Sequence, residues 1–252
     1  MSQGASATRF ERVTDVNAES PTFIEGLPGL GMVASIAVDR ITAQLGLDHH
    51  GNVRSDAFPP VAAFEEGRVR DAVRVYAGED PHVMTLQSDV PVPPNAIEPL
   101  SECVRQDLAE EFGRAVFLAG APAETEDGIG DVTGVATTDG MEADLTEAGI
   151  DLAEESGAIG GVTGGLASGC YHEGVPAAVL VVRCDPRLPD PTAAQAVIED
   201  ALEPLVEFDI DTSELEERAE KIQAQKRQIA EQLQQMQQQQ EGGASQPRPM
   251  YQ

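Results

Sequence analysis

Residues 23–47 read FIEGLPGLGMVASIAVDRITAQLGL, and the fold turns on how this stretch divides. TFIEG, residues 22–26, is a short apolar run closed by glycine, the pattern of a buried strand. Gly26, Gly29 and Gly31 then make a turn, and Met32, Ile36, Ile41 and Leu45 recur behind it at helical spacing. A strand passing through a tight turn into a helix is the opening unit of an α/β layered fold.

The same alternation continues outward to about residue 208. PPVAAFEEGRVRDAVRVYAGED, residues 59–80, reads as a hairpin with Glu66 and Gly67 at the bend. HVMTLQSDV is a strand, VPVPPN breaks the chain, and AIEPLSECVRQDLAEEFG is a helix. RAVFLAGA is a near-continuous apolar run and predicts a central strand buried on both faces. DVTGVATT, GMEADLTEAG, GAIGGVTGGLASGCYHEG and VPAAVLVVRCD extend the pattern, and DPTAAQAVIEDALEPLVEF closes it with an amphipathic helix. The expectation is a three-layer α/β/α sandwich over residues 20–210, preceded at 1–19 by a strand or flexible lead-in.

Composition limits the partners. A formal net charge of -28 repels nucleic acid and anionic membrane alike. Lys221 and Lys226 are the only lysines, and the acids are spread along the whole chain. This resembles the composition of proteins from salt-loving archaea, where molar salt shortens the Debye length to about 3 Å and screens self-repulsion. Cys103, Cys170 and Cys184 are odd in number and lack metal-type spacing, which predicts buried thiols in a reducing cytoplasm. No signal peptide and no run of about 20 apolar residues is visible, so a cytoplasmic, soluble protein is expected.

Candidate chemistry is weak throughout. The Gly26, Gly29, Gly31 turn does not have dinucleotide-fingerprint spacing, lacks the Lys-Ser/Thr pair of a phosphate loop, and is apolar between its glycines. Close packing is the expected use of these glycines. The second glycine-rich turn, GAIGGVTGGLASG at 157–169, carries Gly161, Gly164 and Gly165 and is read the same way, as backbone packing or subunit contact. Cys170 and His172 could form a nucleophile and base on a strand but would diverge on a helix. No nucleophile-elbow pattern accompanies them. His49 and His50 read as a polar surface loop, and neither a metal site nor a cofactor is expected.

Past Phe208 the character changes. Ser213 with Glu216 fits a capping box, and Leu215, Ala219, Ile222, Lys226, Ile229, Leu233 and Met236 follow in alternating steps of four and three. That is a coiled-coil seam over residues 211–240, with Lys226 as the polar residue that fixes register or oligomer state. A helix from Ser213 to Gln240 would reach about 42 Å. Residues 241–252 form a flexible spacer ending in Met250, Tyr251 and Gln252, an apolar-aromatic end on a tether.

Residues 23–47 and GAIGGVTGGLASGCYHEGVPAAVLVV, residues 157–182, resemble the two glycine-rich signatures of the proteasome-assembling chaperone family, in its archaeal branch. The resemblance implies an α/β sandwich without an established catalytic site, and a homo-oligomer, expected as tetramer or pentamer. Met250-Tyr251-Gln252 is similar to the hydrophobic-tyrosine-any motif that inserts between α subunits of the proteasome core particle. Met250 would fill the apolar mouth of the pocket, Tyr251 would pack within it, and the Gln252 carboxylate would pair with a pocket lysine. The implied role is an assembly chaperone or an activator independent of ATP. Two alternatives stay open: an enzyme of nucleoside-phosphorylase or hydrolase type, and a coiled-coil scaffold.

Overall fold

The computed structural model describes residues 8–222 and 224. Its strands are β1 (Arg9–Arg12), β2 (Thr22–Gly26), β3 (Asp48–Arg54), β4 (Ala63–Glu65), β5 (Arg68–Arg70), β6 (Val73–Glu79), β7 (His82–Ser88), β8 (Arg114–Pro122), β9 (Val132–Ala136) and β10 (Ala177–Cys184). The helices are α1 (Val33–Gln44), α2 (Pro94–Cys103), α3 (Asp139–Glu147), α4 (Gly161–Glu173), α5 (Pro191–Val197), α6 (Glu203–Val206) and α7 (213–222). π turns extend α2 through Val104–Leu108 and join α5 to α6 through Ile198–Leu202.

Eight strands form one sheet in the order β1-β3-β6-β7-β2-β8-β10-β9, and β4 and β5 pair separately. The middle four, β7, β2, β8 and β10, are parallel, with Thr22 opposite both Val83 and Arg114, and Ala177 opposite Ala115. The remaining pairings are antiparallel. Parallel strands need cover on both faces, and their sequences show it. Along β8, Val116 and Leu118 enter a first core while Ala115 and Phe117 enter a second. Helices α1, α3, α5 and α6 close the first core, and α2 and α4 close the second, which gives the three-layer sandwich.

Local signals explain the element ends. Asp190 caps α5, its carboxylate accepting from the Ala193 and Asp185 amides while its own amide donates to the Gly31 carbonyl at 2.8 Å. Glu66 and Gly67, both with positive φ, make the β4–β5 bend. That hairpin stands off the sheet, and β6 is a separate strand after it.

Several expectations are corrected. His49 and His50 lie in β3, with His50 buried against the Phe10 ring and its Nε2 at 2.9 Å from Glu111. The second glycine segment is not a turn; from Gly161 it is the helix α4. Thr212, rather than Ser213, opens α7, its carbonyl accepting from the Leu215 and Glu216 amides, and the Asp211 carboxylate accepts from the Ser213 amide at 3.0 Å.

Candidate functional site

The carboxyl ends of the parallel strands gather both glycine segments. The loop after β2 leads to α1 on the first core, whereas the loop after β7 leads to α2 on the second. Adjacent parallel strands whose loops leave to opposite faces open a crevice between them, the usual ligand position in sheets of this kind. A cavity of about 350 Å³ occupies that crevice. Residues 27–30 and Pro91–Val92 form one side, residues 118–121 of β8 the floor, and residues 158–163 at the start of α4 the other side.

The first segment is held by close packing. A Cβ on Gly26 would stand 2.4 Å from Val38 Cβ of α1. Gly31 has φ +63, and a Cβ there would meet Cys184 Sγ of β10 at 2.7 Å. Met32 follows with φ 54, so the chain enters α1 through two left-handed residues. Gly29 is different: a Cβ added there meets nothing within 4 Å. In the second segment Gly161 takes φ +69 in open space, while Gly164 lies against the Ile159 carbonyl, leaving 2.1 Å for a Cβ. Gly165 and Gly169 let α4 approach Ser101 and Arg105. Packing is therefore the main work of the glycines, with Gly29 and Gly161 bordering the cavity instead.

Glu25 joins the two segments. It sits on the last turn of pleat of β2 and is 1% exposed. Its Oε1 accepts from the Leu27 amide at 2.9 Å, and its Oε2 accepts from Thr163 Oγ1 at 3.0 Å. Burial pushes the carboxyl up to about 7, against the opposing pull of the Leu27 and Leu118 backbone and the Thr163 hydroxyl. Sequence reasoning passed over Glu25 and Thr163. The available signal was a lone acid in the apolar run FIEG, at a pleat position shared with Phe23 and so turned toward the second core.

Cys170 is buried on α4 and His172 is exposed, so the helix separates them. Burial pushes the Cys170 thiol up to about 11, which disfavours a thiolate nucleophile. Cys103 and Cys184 are buried free thiols as well.

Of the expected seam, Leu215 is buried in the first core. Ala219 and Ile222 are half-buried and face Ile129, Pro189 and Pro191 across a small cavity of about 110 Å³. Arg40 of α1 clamps the entry to α7, donating to the Asp211 carbonyl and to Glu214 at 2.7 Å. The first turns of α7 therefore pack on the chain's own body. Lys226, Ile229, Leu233 and Met236 of the seam, and Met250, Tyr251 and Gln252 of the docking motif, lie outside the described residues. Among the described residues no helix is long and apolar enough to cross a membrane.

Comparison with known proteins places this geometry. An uncharacterized protein of Methanocaldococcus jannaschii is 28% identical over 225 residues, 89% of this chain and 91% of that protein. The crystal structure of Pyrococcus furiosus PbaA, an archaeal homolog of proteasome-assembly chaperone, matches with a TM-score of 0.79 at 25% identity, covering 93% of this chain and 97% of that one. Pyrococcus furiosus PbaB, an archaeal proteasome activator, shares the fold with a TM-score of 0.79 at 20% identity, over 88% of this chain and 98% of its own. The PAC2 family model matches residues 23–230, from β2 through the sheet and both glycine segments into α7, and the chain belongs to the PAC2 family.

Proposed function

We propose that this chain is a non-enzymatic, cytoplasmic proteasome-binding protein, a homo-oligomeric assembly chaperone or an ATP-independent activator. The observation that carries the reading is the likeness to PbaA, which extends over 93% of the chain at 25% identity. The separation of buried Cys170 from exposed His172 on α4 supports the non-enzymatic side of it. Met250, Tyr251 and Gln252 are the docking residues in this reading, and the proteasome core particle α subunits are the partner. A three-residue anchor on a tether binds weakly, because ordering the spacer costs entropy. Several such anchors on one oligomer raise the avidity by about 10² to 10⁴.

Leu215, Ala219 and Ile222 are committed to the body, so the proposed intersubunit seam narrows to Lys226, Ile229, Leu233 and Met236. The test is a pull-down of core particle or free α subunits in molar salt, with the full chain and with a version lacking residues 250–252. Binding by the full chain and its loss on truncation is the expected result. Equal binding by both forms removes the docking role from the last three residues, and no binding by either removes the proteasome as partner.

A further inference from the structure

The cavity at the carboxyl ends of β7, β2 and β8 has a feature that packing does not explain. A carboxylate taken out of water is ordinarily paired with a cation. Glu25 is 1% exposed, and its neighbours are all neutral donors: the Leu27 and Leu118 backbone and the Thr163 hydroxyl. Among the described residues it is the only ionisable side chain lining the cavity. The three donors hold the carboxyl in a fixed orientation, no cation among the described residues pairs with it, and above its raised pKa of about 7 the charge stands uncompensated. The remaining walls are apolar, formed by side chains such as Leu30, Val92, Ile97, Ile159 and Val162. At about 350 Å³ the space is at the lower end of small-ligand sites. It also lies where two loops leave the sheet in opposite directions, the position that ligands take in open α/β sheets.

We propose that this cavity binds a small organic cation, a primary ammonium carried on an apolar body, with Glu25 as its counter-ion. An ammonium group supplies the charge partner that the described residues omit, and the apolar body fills the space between the two glycine segments. An organic anion is excluded by the carboxylate. A neutral analogue of the same shape keeps the wall contacts and leaves Glu25 uncompensated. Neither the oligomer nor the docking residues enter this inference, so it stands or falls apart from the proteasome reading.

Benzylamine is a suitable probe, with benzyl alcohol and benzoate as neutral and anionic controls, titrated calorimetrically into the full chain at fixed ionic strength. Benzylammonium is expected to bind at least tenfold more tightly than benzyl alcohol at about pH 8, and benzoate not at all. The amine stays protonated down to about pH 6 while Glu25 takes up a proton, so its affinity falls about tenfold over that interval. Glu25→Gln makes amine and alcohol equivalent. Ala119→Leu fills the cavity floor while keeping the Glu25 carboxyl and is expected to abolish binding of both; it keeps the test decisive where Glu25→Gln fails to fold. Equal binding of amine and alcohol by the unaltered chain overturns the proposal. So does discrimination that survives Glu25→Gln, or the absence of binding by any probe, which leaves Glu25 as a latch between the segments and nothing more.

Discussion

The two glycine segments have similar composition and different duties. In the first, Gly26 and Gly31 seat a loop: one clears Val38 of α1, and the other combines a left-handed φ with close contact to Cys184. In the second, Gly164, Gly165 and Gly169 lie inside α4 and let it approach Ile159, Ser101 and Arg105. Gly29 and Gly161 have nothing within 4 Å of a built Cβ and border the cavity instead. The difference teaches that glycine spacing with apolar residues between marks close backbone approach, but does not say whether a loop or a helix makes it. It also separates glycines required by contact from glycines that leave room, and Glu25 spans the boundary between the two segments.

The contrast breaks most visibly at Gly31. Gly31→Ala is expected to cost about 4 kcal/mol, the sum of a left-handed penalty and overpacking against a rigid strand. Thermal melting should show a fall of about 10 °C in Tm, and an unchanged melt would mean that the loop is free to move off Cys184.

Glu25 supplies the next effect. Its folded pKa of about 7 exceeds the ordinary 4.5, so the stability it contributes is complete below pH 4.5 and is lost as pH rises through 7. The difference in unfolding free energy between the unaltered chain and Glu25→Gln should therefore change by about 3 kcal/mol across that interval. Urea denaturation at a series of pH values reads it directly, and parallel pH profiles for the two proteins would place the carboxyl in a wetter setting. The smallest effect sharpens the comparison. Gly29→Ala, with extended backbone and open space, should stabilise by about 0.5 kcal/mol, and a loss as large as that at Gly31 would erase the distinction between packed and open glycines.

Much of the sandwich was legible because each central strand announced itself by composition. RAVFLAGA and VPAAVLVV have no polar face to hide, and the Glu66-Gly67 bend carried its own turn chemistry. The second glycine segment misled because glycine has poor helix propensity, and only the tertiary contact of α4 with α2 overrides it. His50 misled for a related reason: a polar residue in a Gly-flanked run reads as a loop until Phe10 and Glu111, distant in sequence, cover it. The cavity was illegible as a site because its floor, rims and acid come from five separated stretches, and only the topology brings them together.

The position of β2 has a consequence for how the chain acquires its structure. This strand begins at Thr22, yet it occupies the middle of the sheet, flanked by β7 and by β8, whose Arg114 stands opposite Thr22. β8 in turn pairs with β10, which begins at Ala177. No amino-terminal fragment can therefore complete its own sheet, and loop closure over such separations has to precede the pairing that rewards it. A nascent chain holds the edges of β2 unpaired until β7 and then β8, which ends at Pro122, have been made, so loop closure to these distant partners is expected to weigh on folding more than the formation of any one helix.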